Sequence, residues 1–396
     1  MKNISNISLE GKRVLIRVDF NVPLDEHFNI TDDSRILAAL PTIKKVISDG
    51  GKAIIMSHLG RPKNGFEEKF SLRHVVKHLS ELLNTNVAFS SDCIGENTTS
   101  EVNKLENGEV LVLENLRFYK EEKSGDKDFA KQLSLLGDVY VNDAFGTAHR
   151  AHASTAIIAN FFPDNKYFGM LLSNEISSLE KALDKPQRPF TAIIGGAKIT
   201  GKIDVITSLF EKVDNLIIGG GMAYTFAKAM GGSIGNSLVE NEKVDLAKQL
   251  IDEAKKKGVN LILPSDSINA NDFNNNATTN SSSILNISSG FMGLDIGEES
   301  ISEFSTVITN SKTIIWNGPM GVFEMENFAN GTKKVGEAIC EATQNGAFSL
   351  VGGGDSVAAV KKFGFANKVS YISTGGGAML EYLEGKKLPG VVAIQD

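Results

Sequence analysis

The 396-residue sequence is poor in several things that particular function classes require. It has two cysteines, Cys93 and Cys340, neither at CxxC spacing nor near a histidine. That argues against a disulfide framework and a cysteine-based zinc site. No run of about 18 apolar residues occurs, so no membrane span is expected. The opening residues, MKNISNISLEGKR, have no apolar h-region, which predicts no secretory leader and a reducing, cytoplasmic setting. An excess of positive charge is also missing. The net charge is −7, which argues against a nucleic-acid binder but not against small anionic ligands that need only local cations. What remains is 41% hydrophobic and 22% charged, the balance of a soluble globular chain. At roughly 100–200 residues per domain, the length predicts two domains.

The residues that are present are unevenly spread. Seven of the eight arginines and all six histidines precede residue 186, and 27 of the 38 glycines follow it. Arginine offers a rigid fork for carboxylate and phosphate. Glycine lets backbone N–H groups approach a phosphate closely. The asymmetry points to an anion site built of side chains in the first half and of backbone in the second.

Both halves repeat one strand pattern. KRVLIRVDF, KAIIMSHLG, NVAFSSD, EVLVLENLRF, DVYVNDAFG and KYFGML are short apolar runs in the first. FTAIIGGAK, NLIIGGG, NLILPSD, KTIIWNGP, FSLVGGGD and VSYISTGGG follow in the second. Continuous runs of about 4–6 apolar residues suit strands buried on both faces of a parallel sheet. Helical patterns lie between several of them, as in SRILAALPTIKKVISDG and NEKVDLAKQLIDEAKKKG. The reading is α/β, with two Rossmann-like, doubly wound parallel-sheet domains. LLSNEISSLEKALDKP, 171–186, reads as a connecting helix stopped by Pro186. The Asn-rich stretch 269–283 reads as an exposed loop without a ligand role.

Open parallel sheets bind ligands beyond the carboxyl ends of their strands, and the polar residues of this chain collect there. In the first half they are Arg17, Asp19, Asn21, Arg35, His58, Arg61, Arg117, His149, Arg150 and His152. Their convergence would suit a ligand with a carboxylate at one end and a phosphate at the other. Asp19 and Asn21 share a face as their strand ends. Asn21 could donate to a substrate, and Asp19 could accept from a hydroxyl or hold an arginine. His74 and His78 read as surface or packing residues.

In the second half, GGAKITGKI nearly matches a phosphate loop, with Gly196, Gly201 and Lys202, but Ile203 stands where Ser or Thr would bind Mg²⁺. Strand, glycines, Lys198 and Lys202, then helix still suggest an anion site. GGGMAYTF lacks the third glycine of GxGxxG, since residue 224 is Tyr. GGGDS could bare backbone N–H groups at Gly352, Gly353 and Gly354. Asp355 is its candidate for a phosphate-bound Mg²⁺, and also reads as a helix N-cap. Glu324 could accept from ribose hydroxyls, and Trp316 reads as core.

In order along the chain, RVDFNVP, SHLGRP, ENLRFY, NDAFGTAHRAHAST, GGAKITGKID, GGGMAYTF, GLDIG, WNGPMGVFE, GGGDS and STGGGA resemble the phosphoglycerate kinase family. The resemblance runs from about residue 13 to 378. It implies an N-terminal triose-phosphate domain at 1–170, joined by a tail at about 380–396 that returns to it. It also implies the connecting helix and hinge at 171–186 and a nucleotide domain at 187–379. It further implies a monomer that interconverts 1,3-bisphosphoglycerate plus ADP with 3-phosphoglycerate plus ATP, with Mg²⁺ as cofactor and neither nucleic acid nor membrane as partner.

Carried over motif by motif, the triose site is Asp19, Phe20, Asn21, Arg35, His58, Leu59, Gly60, Arg61, Arg117 and Arg150. The nucleotide site is Gly195, Lys198, Lys202, Gly219, Gly293, Asn317, Pro319, Glu324, Gly353, Gly354, Asp355 and Ser356. Arg35, Lys198 and Lys202 would carry catalysis, and Asp355 would hold Mg²⁺ through the nucleotide phosphates. Ser356 stands where the family usually has Thr and keeps a hydroxyl.

A substrate carboxylate is already ionised near pH 7, so the expected mechanism needs no general base and rests on positioning and charge stabilisation. Two other readings stand beside it. A nicotinamide dehydrogenase is disfavoured by the missing GxGxxG. A silent nucleotide-binding scaffold is disfavoured by the presence of Arg35, Lys198, Lys202 and Asp355 together.

Overall fold

The computed structural model describes residues 2–63 and 65–396. The chain divides into two compact units, Met1–Ser177 with Lys387–Asp396, and Ser178–Lys386. The division falls inside the helix Met170–Leu183, which ends before Pro186 where the missing N–H forbids continuation.

In the first unit the strands are β1 (Arg13–Arg17), β2 (Lys52–Met56), β3 (Val87–Phe89), β4 (Val110–Val112), β5 (Val139–Asn142) and β6 (Lys166–Phe168). They form one sheet in the order β3-β4-β2-β1-β5-β6, with every pairing parallel. Their apolar residues are buried on both faces, as continuous Val/Ile runs require. A core of Val14, Ile16, Val18, Phe20, Ile43, Ala53 and Ile55 fills one side. Helices Ser34–Ser48 and Arg73–Leu83 flank the sheet. The second ends at Asn84 in the left-handed conformation, φ 52°, which asparagine tolerates. The terminal helix Pro389–Gln395 packs into this unit. The Gly390 N–H donates to Ala148 O at 2.8 Å, and a Cβ on Gly390 would stand 3.1 Å from the Ala148 backbone.

In the second unit the strands are β7 (Phe190–Ile194), β8 (Asn215–Ile218), β9 (Ser233–Ile234), β10 (Asn260–Ile262), β11 (Asp266–Ala270), β12 (Thr279–Ser283), β13 (Asn286–Ile287), β14 (Met292–Ile296), β15 (Thr313–Asn317), β16 (Phe348–Val351) and β17 (Tyr371–Ile372). The main sheet runs β10-β8-β7-β15-β16-β17, again parallel throughout. The chain winds outward from β7 on one side and from β15 on the other. The reversal point lies between these two strands, where such sheets bind ligands. Trp316 is fully buried in the core, and its Nε1–H donates to Gly318 O at 2.8 Å.

One expectation fails here. Residues 269–283 are not a plain loop. β11 pairs antiparallel with both β12 and β14, so the Asn- and Ser-rich stretch is largely a hairpin. Its tip is tied down where Asn327 donates from N and Nδ2 to Asn275, at 3.0 and 2.6 Å.

Candidate active site

In the first unit, β1 delivers Asp19 to the carboxyl edge of the sheet. Arg35, in the first turn of the helix Ser34–Ser48, donates from Nη1 to Asp19 Oδ2 at 3.0 Å and to Asn21 O at 3.1 Å. Asp19 therefore holds an arginine, the second of its two anticipated roles. Asn21 Oδ1 accepts from Gly60 N–H at 2.8 Å, which leaves its amino group as the possible donor. Arg117 donates from Nη1 to Gly60 O at 2.7 Å. The loop from β2 is thus fixed from two sides, with Arg61 and Arg150 exposed. Phe20 and Leu59 are buried and serve this edge through the core; His58 is buried beside Asp19.

Arg17 belongs to the strand rather than to the rim. It is 1% exposed, and its Nε donates to Ser154 Oγ at 2.8 Å. Its Nη2 lies 3.3 Å from His58 Nδ1. Ser154 is held in turn by the buried carboxylate of Glu122, which accepts from its Oγ at 2.6 Å and its N–H at 3.0 Å. Burial, then Arg17, Arg117 and Arg35, push His58 well below the usual histidine range. Burial and the same pair Arg17 and Arg117 push His152 down to about 4. Both rings are neutral near pH 7, so the positive charge of this edge belongs to its arginines. His74 and His78 are engaged elsewhere, with Glu68 O at 2.8 Å and Asp33 Oδ2 at 2.9 Å.

In the second unit, β7 ends in Gly195 and Gly196, and the chain bends through Lys198 to the helix Ile203–Leu209. Lys198 is exposed and Lys202 is half-buried. Lys202 Nζ donates to Asn317 Oδ1. Burial lowers its pKa, while the charges of Asp355 and Glu384 oppose that shift. Asn317 Nδ2 donates to Gly352 O at 2.8 Å, and Gly318 N–H donates to Ser356 Oγ at 2.6 Å. The hydroxyl of Ser356 thereby links the loop after β15 to the helix after β16.

Two expectations change at this edge. Of the three N–H groups expected to be bared at Gly352, Gly353 and Gly354, that of Gly352 donates to Trp316 O and is spent on the backbone, as the N–H groups of Gly195 and Gly219 are on Asn317 O and Ile194 O. Gly195 is needed because a Cβ there would overlap Pro319 O. Asp355 is not an N-cap. The cap of the helix Gly354–Lys362 is Gly353, φ 95°, and Asp355 lies exposed in the first turn. A Cβ on Gly354 would meet nothing within 4 Å, so the amino-terminal end of this helix is open to an anion.

Beside this group lies a cavity of about 660 Å³, within the range of small-molecule sites. Gly293, Pro319, Glu324 and Asp355 line it, as do Gly196, Ala197, Gly220 and Gly221. The residues that motif reading missed are mainly apolar or aromatic, Tyr224, Leu238, Phe273, Met292, Leu294, Met320, Val322 and Met325, with Asn236 and Gly321 among them. Periodicity marks such residues only as core. Phe273 sits on the hairpin tip and is 59% exposed; an aromatic in an Asn-rich run was the one available signal. Lys198, Lys202, Asn317, Gly353, Gly354 and Ser356 lie outside the cavity lining.

Among the described residues no group of three His, Cys, Asp or Glu side chains could hold a metal. One exposed carboxylate beside an open helix end does fit Mg²⁺ carried mainly by phosphate oxygens and water.

Comparison with known proteins places these features in one context. A family model described as phosphoglycerate kinase matches residues 4–386. The chain is similar to the phosphoglycerate kinase of Porphyromonas gingivalis, 55% identical with 99% of each chain covered. It is also similar to that of Chlorobaculum tepidum, 54% identical over 100% of this chain and 99% of the other. Among solved structures, the phosphoglycerate kinase of Coxiella burnetii superposes with a TM-score of 0.91 at 42% identity, covering 99% and 98% of the two chains. That of Pyrococcus horikoshii gives 0.85 at 31% identity, covering 100% and 98%.

Proposed function

The chain belongs to the phosphoglycerate kinase family, and on that premise we propose how its residues divide the work. It is a glycolytic kinase that moves a phosphoryl group reversibly between 1,3-bisphosphoglycerate and ADP, giving 3-phosphoglycerate and ATP. Its co-substrates are ADP and ATP.

The triose is assigned to the first unit. Arg61, Arg117 and Arg150 would hold its phosphate, while Asp19 and Asn21 keep Arg35 and the Gly60 loop in place. The neutral rings of His58 and His152 add hydrogen-bonding capacity without further repulsion among the arginines. The nucleotide is assigned to the cavity of the second unit, its base against the apolar wall and its ribose at Glu324. Its phosphates would lie toward the helix Gly354–Lys362 and the two lysines. Asp355 would hold Mg²⁺ on those phosphates, and the ion would supply charge neutralisation there. The acceptor carboxylate needs no base. Lys202 and Arg35 would stabilise the charge on the migrating phosphoryl group, with Lys198 assisting. A single copy of the chain, in the cytoplasm, completes the reading.

The observation that carries this assignment is the joining of Lys202 to Asn317, with Asp355 acting on its charge, beside a cavity of about 660 Å³ with an apolar wall. A coupled assay of ATP-dependent phosphorylation of 3-phosphoglycerate, run with wild type and Lys202→Ala, tests it. The variant should lose about 100-fold or more in kcat while binding 3-phosphoglycerate as before. Normal turnover by the variant would remove Lys202 from the chemistry.

A further inference from the structure

The loop that carries Lys198 and Lys202 has little regular structure of its own. It bends from Gly196 to a helix that begins only at Ile203. Two lysines on such a loop would present their charges over a range of positions, and charge stabilisation works through donors already in place. Something must hold the loop, and the structure contains it. Glu240, far along the chain, buries its carboxylate directly against residues 199 and 200. One oxygen accepts from Ile199 N–H at 2.6 Å and Thr200 N–H at 3.2 Å. The other accepts from Thr200 Oγ1 at 2.6 Å. The restraint continues to the second lysine, because Ile199 O accepts from Lys202 N–H at 2.8 Å. The Ile199 side chain is itself fully buried.

The other end of the Glu240 segment lies on the cavity. Asn236 and Leu238 line it, and Ser237 Oγ accepts from Gly293 N–H at 2.9 Å. Glu240 is fixed from behind, its own N–H donating to Thr225 Oγ1 at 3.2 Å. A short stretch of chain thus runs from the cavity wall to a carboxylate seated between the two lysines in sequence.

We propose that Glu240 is a positioning residue for phosphoryl transfer, its carboxylate setting the loop that presents Lys198 and Lys202 and tying that loop to the wall of the nucleotide cavity. The proposal rests on the kinase assignment above. It gives Glu240 no contact with substrate. Its role is geometric, so an uncharged side chain of the same shape should serve. Glutamine retains an oxygen for the two N–H groups and offers an amino group to the Thr200 hydroxyl, which can accept as well as donate.

The test compares Glu240→Ala, Glu240→Gln and Thr200→Val in the full-length protein. In the coupled assay, Glu240→Ala should lower kcat about tenfold or more, with the KM for 3-phosphoglycerate within about twofold of wild type. Glu240→Gln should restore kcat to within about threefold of wild type. Without any substrate, amide hydrogen exchange across 197–203 should quicken about tenfold or more in Glu240→Ala and stay near wild type in Glu240→Gln.

Unchanged kcat and exchange in Glu240→Ala would overturn the proposal. So would a rise in the KM for 3-phosphoglycerate or faster exchange throughout the second unit, since those are marks of general loosening. A well-folded Glu240→Gln as impaired as Glu240→Ala would also overturn it, by placing the effect in charge. If Glu240→Ala does not fold, Thr200→Val decides. It removes one donor only and should lower kcat about two- to fivefold at unchanged KM for 3-phosphoglycerate, and no loss would count against the proposal. Wild type that failed to turn over would sink the kinase assignment and with it the role in phosphoryl transfer, whereas the exchange pattern decides separately whether Glu240 sets the loop.

Discussion

Single residues in this chain are often set by partners far away in sequence, and that decides which of them could be read in advance. Arg35, Asp19 and Lys202 stand out because their types and their places after strands are both visible. Glu122 and Glu240 do not. Each lies in an acidic, polar run that reads as a solvated face, and burial comes from Ser154 or Thr200 folding over it. Asp143 is a third case. Burial pushes its carboxyl up to about 7, although it accepts from Leu172 N–H at 3.1 Å in the first turn of the helix Met170–Leu183. The folded chain therefore holds a proton that the unfolded chain, with an ordinary value of 3.8, has released. Its contribution to stability is full below that ordinary value and is lost as pH rises through about 7. Asp143→Asn keeps the acceptor and removes the titration. Denaturant unfolding at pH 5 and pH 8 should show the variant gaining on wild type by about 1 kcal/mol or more at the higher pH. A gap that does not change with pH would contradict the buried-carboxyl account.

Elements were legible where one physical cause dominated. The Val/Ile runs of β1, β2, β7, β8 and β15 announce buried parallel strands, and the polar clusters after them mark the ligand edge. The position of β4 between β2 and β3 follows from non-local pairing that no local pattern carries. The hairpin of β11 and β12 was hidden for another reason. Asn and Ser have low strand propensity, and its register is set by the ladder to β14 and not by an alternating apolar face. The consequence for function is specific, because this hairpin places Phe273 on the cavity. Removing the ring in Phe273→Ala should weaken MgADP binding about 5- to 100-fold, the range of one aromatic–base contact, and leave 3-phosphoglycerate binding unchanged.

At the scale of the whole molecule, the two proposed anion sites differ in construction. The proposed triose site is a crowd of arginines beside the rings of His58 and His152, whose pKa values burial pushes down. The proposed nucleotide site is an apolar cavity, with the open turn of the helix Gly354–Lys362 and the loop of Lys198 and Lys202 assigned to the phosphates. The uneven distribution of arginine and glycine along the sequence suits this proposed division, and Gly195 and Gly219 also meet packing needs, since a Cβ on them would overlap Pro319 O and Met320 Sδ.

Calorimetric titration of 3-phosphoglycerate and of MgADP into wild type, Arg117→Ala and Phe273→Ala tests the division directly. Arg117→Ala should lose about tenfold or more in affinity for 3-phosphoglycerate and bind MgADP as wild type does, and Phe273→Ala should do the reverse. An Arg117→Ala protein that stays folded yet loses both ligands alike, or neither, would contradict the assignment of one substrate to each unit.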